Sequence, residues 1–473
     1  MGEIKNPTIR ISDFGPISKA IIEIKPLTIF IGGHNTGKSY AAQLIYCMAR
    51  TLRSDYRRLG KVERKIGGIT KKEYRAVGKE LKGLEGLARH GTEVKFGEIG
   101  ETLRNKGKDW WACCEELCKD EVKSSLNQYF MAEDIGELVR FGGAPVQCEI
   151  KFSAIGENDI RLRIRIVKKS GKINVKVVTP DIEQLNIMNA IRKVGTTRIP
   201  RGLDYDDFQV ALLELWREVW KGIGDYQSYY LPAARSGILQ LWGMLQLYAL
   251  ESLPEQMGLP GLVKDFLTEI ARSGVFWSGK KRRERVKKAL ELLEGEILHG
   301  KIGYRRERPG PSIIRYAFGD EASLSIQRAS SMVAELAPLD LWIERVLDEG
   351  DLLIIEEPEA HLHPSSQIQI AKLIARLVNS GIRIICTTHS PLLVSRISNL
   401  MLAGKVRESV RRDVGLEAVD IIKEEDLGVY QFVATDNGSL VNRLKMISKF
   451  GIPEDEFLEE YEKISFESYK VSS

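Results

Sequence analysis

Residues 32–39 read Gly-Gly-His-Asn-Thr-Gly-Lys-Ser, a G-x-x-x-x-G-K-S string between the apolar run Leu27–Ile31 and a helical pattern over Tyr40–Leu52. No other feature limits the fold so tightly. Glycines let the backbone curl until successive N–H groups face inward, and a helix N-terminus adds partial positive charge. Such a loop cradles phosphate where a buried strand ends and a helix begins. The chain is therefore expected to be α/β, with a P-loop nucleotide-binding core. Gly32, Asn35, Thr36, Gly37, Lys38, Ser39 and Tyr40 are the candidate nucleotide contacts. Lys38 is expected to reach the β- and γ-phosphates, and the Ser39 hydroxyl to hold Mg²⁺.

At 473 residues the chain is long enough for more than one core. Residues 1–54 read as the first part of the nucleotide-binding core, with strands at Thr8–Ser12, Ala20–Ile24 and Leu27–Ile31. Residues 55–228 form a mostly helical insertion, with helical patterns at Glu115–Leu126 and Phe208–Trp220. A small antiparallel β element interrupts it at Gln147–Ser153, Ile160–Lys168 and Lys172–Val178, with a turn at Lys169-Ser170-Gly171. Residues 229–404 return to the core, with helical patterns at Gly237–Glu251 and Arg282–Leu298 and a helical insertion near 255–300. Strands at Ile313–Phe318, Ala322–Ile326, Asp351–Ile355 and Ile382–Thr387 alternate with helices such as Ser365–Asn379, the pattern of a parallel sheet. Residues 405–473 hold a strand near Val429–Val433 and an acidic helix Glu454–Lys463, and are expected to dock a partner.

Two further strings carry chemistry. Leu352–Ile355 is a buried strand ending in Glu356-Glu357-Pro358. A hard cation beside phosphate takes one carboxylate, and a hydrolytic water needs a second as general base. The strand Ile382–Thr387 ends in Thr388-His389-Ser390-Pro391, which puts His389 at a strand tip, where α/β sheets gather their ligands. There it is expected to bond the γ-phosphate or orient the attacking water. A structural histidine is the plainer reading of the same position.

These residues resemble the ABC-type ATPases of the SMC, RecF and OLD-like group. The string Glu356-Glu357-Pro358-Glu359-Ala360-His361-Leu362-His363-Pro364, the later Thr388–Pro391, the opening Asp13-Phe14-Gly15-Pro16-Ile17 and the stretch Leu231–Ser236 all carry the likeness. It spans roughly 8–52 and 228–400. The resemblance implies an ABC-type head with a mixed sheet core that binds ATP and Mg²⁺ and hydrolyses ATP. Glu356 would be the metal-side carboxylate, Glu357 the catalytic base, Ala360-His361-Leu362 the D-loop and His389 the switch histidine. It also implies a homodimer that sandwiches ATP, with a serine from the second copy completing each site. Ser330 and Ser331, ahead of Met332–Leu336, are the candidates, and a simple helix cap is the alternative. Gln147 is one candidate for the Q-loop glutamine.

Other classes fit less well. The sequence lacks the apolar run of about 20 residues that crosses a bilayer, and a cytoplasmic protein without a membrane partner is expected. The six cysteines are scattered, and Cys113, Cys114 and Cys118 read as helix-packed thiols. OLD nucleases carry a TOPRIM domain after the ATPase, and Ser390–Ser473 is too short for one. Asp204-Tyr205-Asp206 has the spelling of a metal pair but reads as surface acid in a loop. The net charge is +5, and basic stretches cluster mid-chain: Arg57–Arg75, Arg161–Lys176, Lys280–Lys288 and, in a loop, Arg305, Arg306 and Arg308. They suit either a solvated face or DNA bound through its phosphates in a salt-sensitive, sequence-independent way. DNA processing or phage defence is the favoured role. An ATP-switched scaffold that controls a separate nuclease or toxin subunit is the alternative. Trp216, Trp220 and Trp242 fall at helical spacing and read as core.

Overall fold

The computed structural model describes residues 6–53, 60–62, 64–65, 71–89, 93–141, 147–153, 160–168, 172–180, 182–188, 190–192, 204–220, 227–241, 259–275, 284–306, 312–319, 322–446 and 451–453. Strands β1 (Thr8–Phe14) and β2 (Ile17–Glu23) make a hairpin, and β3 (Leu27–Gly32) leads into helix α1 (Lys38–Leu52). Helices α2 (Lys71–Arg89) and α3 (Glu101–Phe130) follow, then β4 (Gln147–Ser153), β5 (Ile160–Val167), β6 (Ile173–Val177) and α4 (Tyr205–Val219). Next come β7 (Ser228–Leu231), the short α5 (Arg235–Gln240), α6 (Gly261–Val275) and α7 (Glu284–Leu292), which closes in a π turn over Leu293–Ile297. A separate antiparallel sheet is built from β8 (Lys301–Arg306), β9 (Ser312–Phe318) and β10 (Ala322–Ser325). The remaining elements are α8 (Ser331–Arg345), β11 (Leu352–Glu356), α9 (Pro364–Asn379), β12 (Arg383–Thr387), α10 (Pro391–Leu402), α11 (Glu408–Asp413), β13 (Leu427–Thr435) and β14 (Gly438–Arg443).

The large sheet runs β6-β5-β4-β1-β2-β14-β13-β3-β12-β11-β7. Its two halves differ for a physical reason. Strands β13, β3, β12, β11 and β7 are parallel neighbours, and β3 and β7 are buried along their whole length because helices cover both faces. Alternate side chains go to opposite layers. Phe30, Ile354 and Ile385 join the core beneath α1, whereas Ile29, Leu353 and Ile384 join the core beneath α8, α9 and α10. Strands β1, β4, β5 and β6 pair antiparallel, with Ile150, Leu162, Ile164 and Val175 on a buried face and charged residues opposite.

Several elements differ from the sequence reading. The helix expected at Glu115–Leu126 begins well before that, at Glu101 in α3. Its buried positions Leu103, Gly107, Trp110, Cys114, Cys118, Val122 and Leu126 keep one face against the core. Interspersed Lys, Asn and Asp hid that periodicity. Arg305 and Arg306, read as loop, belong to β8, paired with Ile313 and Ser312; Arg308 lies outside the described residues. Asp204 is a helix N-cap, accepting from Asp207 N at 2.9 Å, rather than part of an open loop. The helix expected at Gly237–Glu251 is described only as α5, because 242–250 lie outside the described residues, as do Trp242, Lys169–Gly171, Lys280–Arg283 and the acidic segment 454–463. The C-terminal strands are core rather than appendage: β13 sits directly between β14 and β3. Their parallel pairing is set by register with residues about 400 positions away, which no local pattern reveals. No helix among the described residues is long and apolar enough to cross a membrane.

Candidate functional site

The P-loop is shaped by residues whose backbones other types tolerate poorly. Gly32 leaves β3 at φ +136°, Asn35 sits at +60° and Gly37 at +94°. A Cβ on Gly32 would lie 2.3 Å from the Phe432 carbonyl oxygen of β13, so the neighbouring strand can pass only because this residue is glycine. A Cβ on Gly37 would meet Pro16 and Ile17 at 2.8 Å, so the β1–β2 turn packs against the loop's exit. Lys38 is buried, and its Nζ donates to Gly32 O at 2.8 Å and Gly33 O at 2.6 Å, which holds the ammonium over the loop. Thr36 Oγ1 donates to Gly33 O at 2.9 Å. Ser39 is exposed at the start of α1. The Tyr40 ring packs edge-on to Phe14 and Phe141 and tilted to Phe130, all within 6.1 Å between centroids.

The tips of β3, β12 and β11 lie side by side, so the acidic pair is two strand spacings, about 10 Å, from the P-loop strand. Glu356 ends β11, and its Oε2 accepts from Ala233 N at 3.1 Å. Glu357 follows in the left-handed region at φ +45°, an unfavourable conformation for a side-chain-bearing residue. Its N–H donates to Thr387 O at 3.0 Å. Its carbonyl is held by Arg235, a residue whose role the sequence did not disclose. The Arg235 guanidinium, 1% exposed, donates to Pro232 O (3.0 Å), Glu356 O (2.7 Å), Glu357 O (3.2 Å) and Glu335 O (3.1 Å). It also pairs with the fully buried Glu335 carboxylate at 3.0 Å. Burial lowers the Arg235 pKa, opposed first by Glu335 and then by Glu359, Glu356 and Glu357.

His389 lies just beyond β12. Its backbone N–H donates to Glu359 Oε1 at 2.9 Å, and the Thr388 hydroxyl donates to the same oxygen at 2.6 Å. Its ring stacks on His34 of the P-loop, 4.4 Å between centroids. Burial, then Lys38, then His34 lower its pKa to about 4, so the imidazole is neutral at ordinary pH. Burial raises the Glu359 carboxyl above the usual range. Glu359, His34 and Arg235 are therefore the residues that sequence reasoning left without a role. All three stood in strings already singled out for their neighbours.

Ser330 N-caps α8, accepting from Val333 N at 3.4 Å, and Ser330 and Ser331 are both exposed. Gln147 opens β4 on its exposed side, opposite Val167. Cys113, Cys114 and Cys118 are buried on the packed face of α3. Among the described residues no group of three or more His, Cys, Asp or Glu is arranged to hold a metal ion. Ser39 and Glu356 offer hard oxygen donors, too few for a protein cage, and one Glu356 oxygen is already engaged by Ala233 N. That donor set fits Mg²⁺, which retains waters and takes phosphate oxygens as its other ligands.

Residues 263–394 match the model of the family described as an AAA ATPase domain. That segment includes α8, the acidic tip of β11 and His389, and leaves out the P-loop. No curated protein matches the chain. Among solved structures it is similar to an Smc head bound to the C-winged helix domain of ScpA (11% identity, 93% of this chain and 98% of that one, TM-score 0.43). It is also similar to an Smc head domain with an extended coiled coil bound to the C-terminal domain of ScpA, derived from Pyrococcus furiosus (12%, 98% and 100%, TM-score 0.41). A third is the SMC head domain from Thermotoga maritima (8%, 93% and 100%, TM-score 0.38). At such scores these likenesses carry no weight of their own. The P-loop, the parallel strand tips and the antiparallel flank define the class: a mixed-sheet P-loop fold, part of which matches an AAA ATPase domain.

Proposed function

We propose that the chain is a Mg²⁺-dependent ATPase whose two copies close around two ATP molecules. The observation that carries this reading is the convergence of Lys38, Glu356, Glu357 and His389 at three adjacent strand tips. Lys38 would bind the β- and γ-phosphates, with the loop N–H groups of Gly32–Ser39 cradling the rest. Ser39 and Glu356 would hold Mg²⁺, which would draw negative charge from the phosphates. Glu357 would take a proton from the attacking water as its oxygen bonds the γ-phosphorus and the bond to the β-phosphate oxygen breaks. Neutral His389 would hydrogen-bond the γ-phosphoryl group. Ser330 or Ser331 of the second copy, at an exposed helix N-terminus, would complete the cradle.

DNA is the macromolecular partner that one further observation favours. Register places Arg10, Lys151, Arg163 and Lys176 directly opposite one another across β1, β4, β5 and β6. Like charges in direct cross-strand register are unfavourable, and in the adjacent row Glu149 is shared by Lys151, Arg163 and Arg165. A phosphate backbone laid along this row would relieve the repulsion.

The test is ATP turnover by the wild type and Glu357→Gln, with and without duplex DNA, alongside mass in solution. Turnover lost in the variant, which then accumulates as an ATP-dependent dimer, supports the reading. Equal turnover from two monomeric proteins removes it. Arg163→Glu with Lys176→Glu should abolish any stimulation by DNA without changing turnover in its absence.

A further inference from the structure

We infer that Arg235 and Glu335 form a positioning pair that sets the Glu357 backbone and ties it to the helix facing the second copy. The inference rests on the ATPase reading above and adds a device to it.

Glu357 stands at φ +45°, so something must hold it there. Thr387 O fixes its N–H, and Arg235 fixes its carbonyl along with that of Glu356. With both peptide ends pinned, the direction in which the Glu357 side chain leaves the backbone is set. Ala233, two residues before Arg235, holds the Glu356 carboxylate through its own N–H. The β7–α5 turn is thus a template for the acidic tip, supplied from more than a hundred residues away.

The other end of Arg235 reaches α8. Its Nε donates to Glu335 O and its terminal nitrogen pairs with the Glu335 carboxylate, both inside a water-excluded layer. Glu335 lies one turn beyond Ser331, on the buried side of the helix whose N-terminus carries the exposed Ser330 and Ser331. A planar guanidinium with donors in fixed directions can bridge four carbonyls and a carboxylate; an ammonium cannot. A buried pair of this kind is a weak source of stability compared with an apolar replacement, which points to a geometric role. A shift of the α8 first turn on meeting the second copy's ATP would pass through Glu335 and Arg235 to the Glu357 carbonyl. Engagement and base alignment would then be one event.

The experiment uses full-length Arg235→Lys and Glu335→Gln, with wild type and Glu357→Gln as references. Measured are kcat and KM for ATP, affinity for a fluorescent ATP analogue, and ATP-dependent dimer mass. A misplaced base is expected to lower kcat by about 100-fold, with KM and analogue affinity within about threefold and dimers still forming. A folded Arg235→Lys with wild-type kcat overturns the inference. So does a fall in kcat matched by equal losses in nucleotide affinity and dimerisation, the mark of a merely structural pair. Should Arg235→Lys fail to fold, the isosteric Glu335→Gln is read in the same way, and the same two results overturn the inference. The two readings fail separately. If the wild type does not turn over, or Glu357→Gln matches it, the ATPase reading falls. If those references behave and only the pair variants turn over normally, this inference alone falls.

Discussion

Removing the Glu359 side chain isolates how His389 is held. Glu359 Oε1 accepts from the fully buried Thr388 hydroxyl at 2.6 Å and from His389 N–H at 2.9 Å. In Glu359→Ala both donors lose a charged acceptor. Leaving a buried donor unsatisfied costs about 1–3 kcal/mol each, so the gross loss is about 2–6 kcal/mol. Part is returned, because the carboxylate itself is held uncomfortably: burial raises its pKa, and its second oxygen is buried without a hydrogen-bond partner among the described residues. A net destabilisation of about 2–3 kcal/mol is expected. Glu359→Gln keeps a carbonyl oxygen for both donors and drops the charge, so it should cost under about 1 kcal/mol. The sign with pH follows from the raised pKa. The folded state holds a proton at pH values where the unfolded chain has lost it, so the wild type loses stability as pH rises through the Glu359 titration, and Glu359→Gln gains on it there. Urea midpoints and ATP turnover for the two variants are to be measured over about pH 5–8. Turnover should fall at least about tenfold in Glu359→Ala, where His389 loses its backbone anchor, and stay near wild type in Glu359→Gln. Equal stability and turnover for the two variants would show that the acceptor geometry at Thr388 and His389 is irrelevant.

Gly32→Ala should lower stability by about 3 kcal/mol or more, because its Cβ would meet Phe432 O at 2.3 Å from a backbone at φ +136°. Gly33→Ala, whose Cβ would meet only Thr36 at 3.8 Å, should leave the melting midpoint nearly unchanged. In the nucleotide-free protein the His389 imidazole should titrate near about 4 by NMR, and His34→Ala should move it up. Since that pKa is depressed in the fold, stability should fall as pH drops from about 6.5 towards 4, and less steeply in His34→Ala. Burial raises Asp351, at the foot of β11, to about 7. Its folded form binds the proton more tightly than the unfolded chain does, so wild-type stability is lost as pH rises through that range. Asp351→Asn should therefore be more stable than wild type at about pH 8 and converge with it near about pH 4, read from urea midpoints.

What could be read in the sequence divides by how local each cause is. The P-loop needs eight contiguous residues and a strand before them, so Gly32–Ser39 announced the fold class. Glu356 and Glu357 were legible because an apolar run ending in paired carboxylates is itself a local pattern. Arg235 stood in a stretch already singled out, yet its partners are the carbonyls of Glu356 and Glu357, and a carbonyl has no sequence signature. The strand at Val429–Val433 was visible as well. Its place was not, because nothing in its own residues says that Leu427–Phe432 pairs in register with Leu27–Gly32. That pairing changes what the loop glycine means. Gly32 is usually explained by the phosphate it must approach, but here its missing Cβ first makes room for the carbonyl of a C-terminal strand. The P-loop is therefore shaped from three regions at once: the β1–β2 turn against Gly37, β13 against Gly32, and β12 beside β3, with His389 just past its end. A change in β13 that touches no nucleotide should then weaken nucleotide binding through Gly32, as surely as a change in the loop itself.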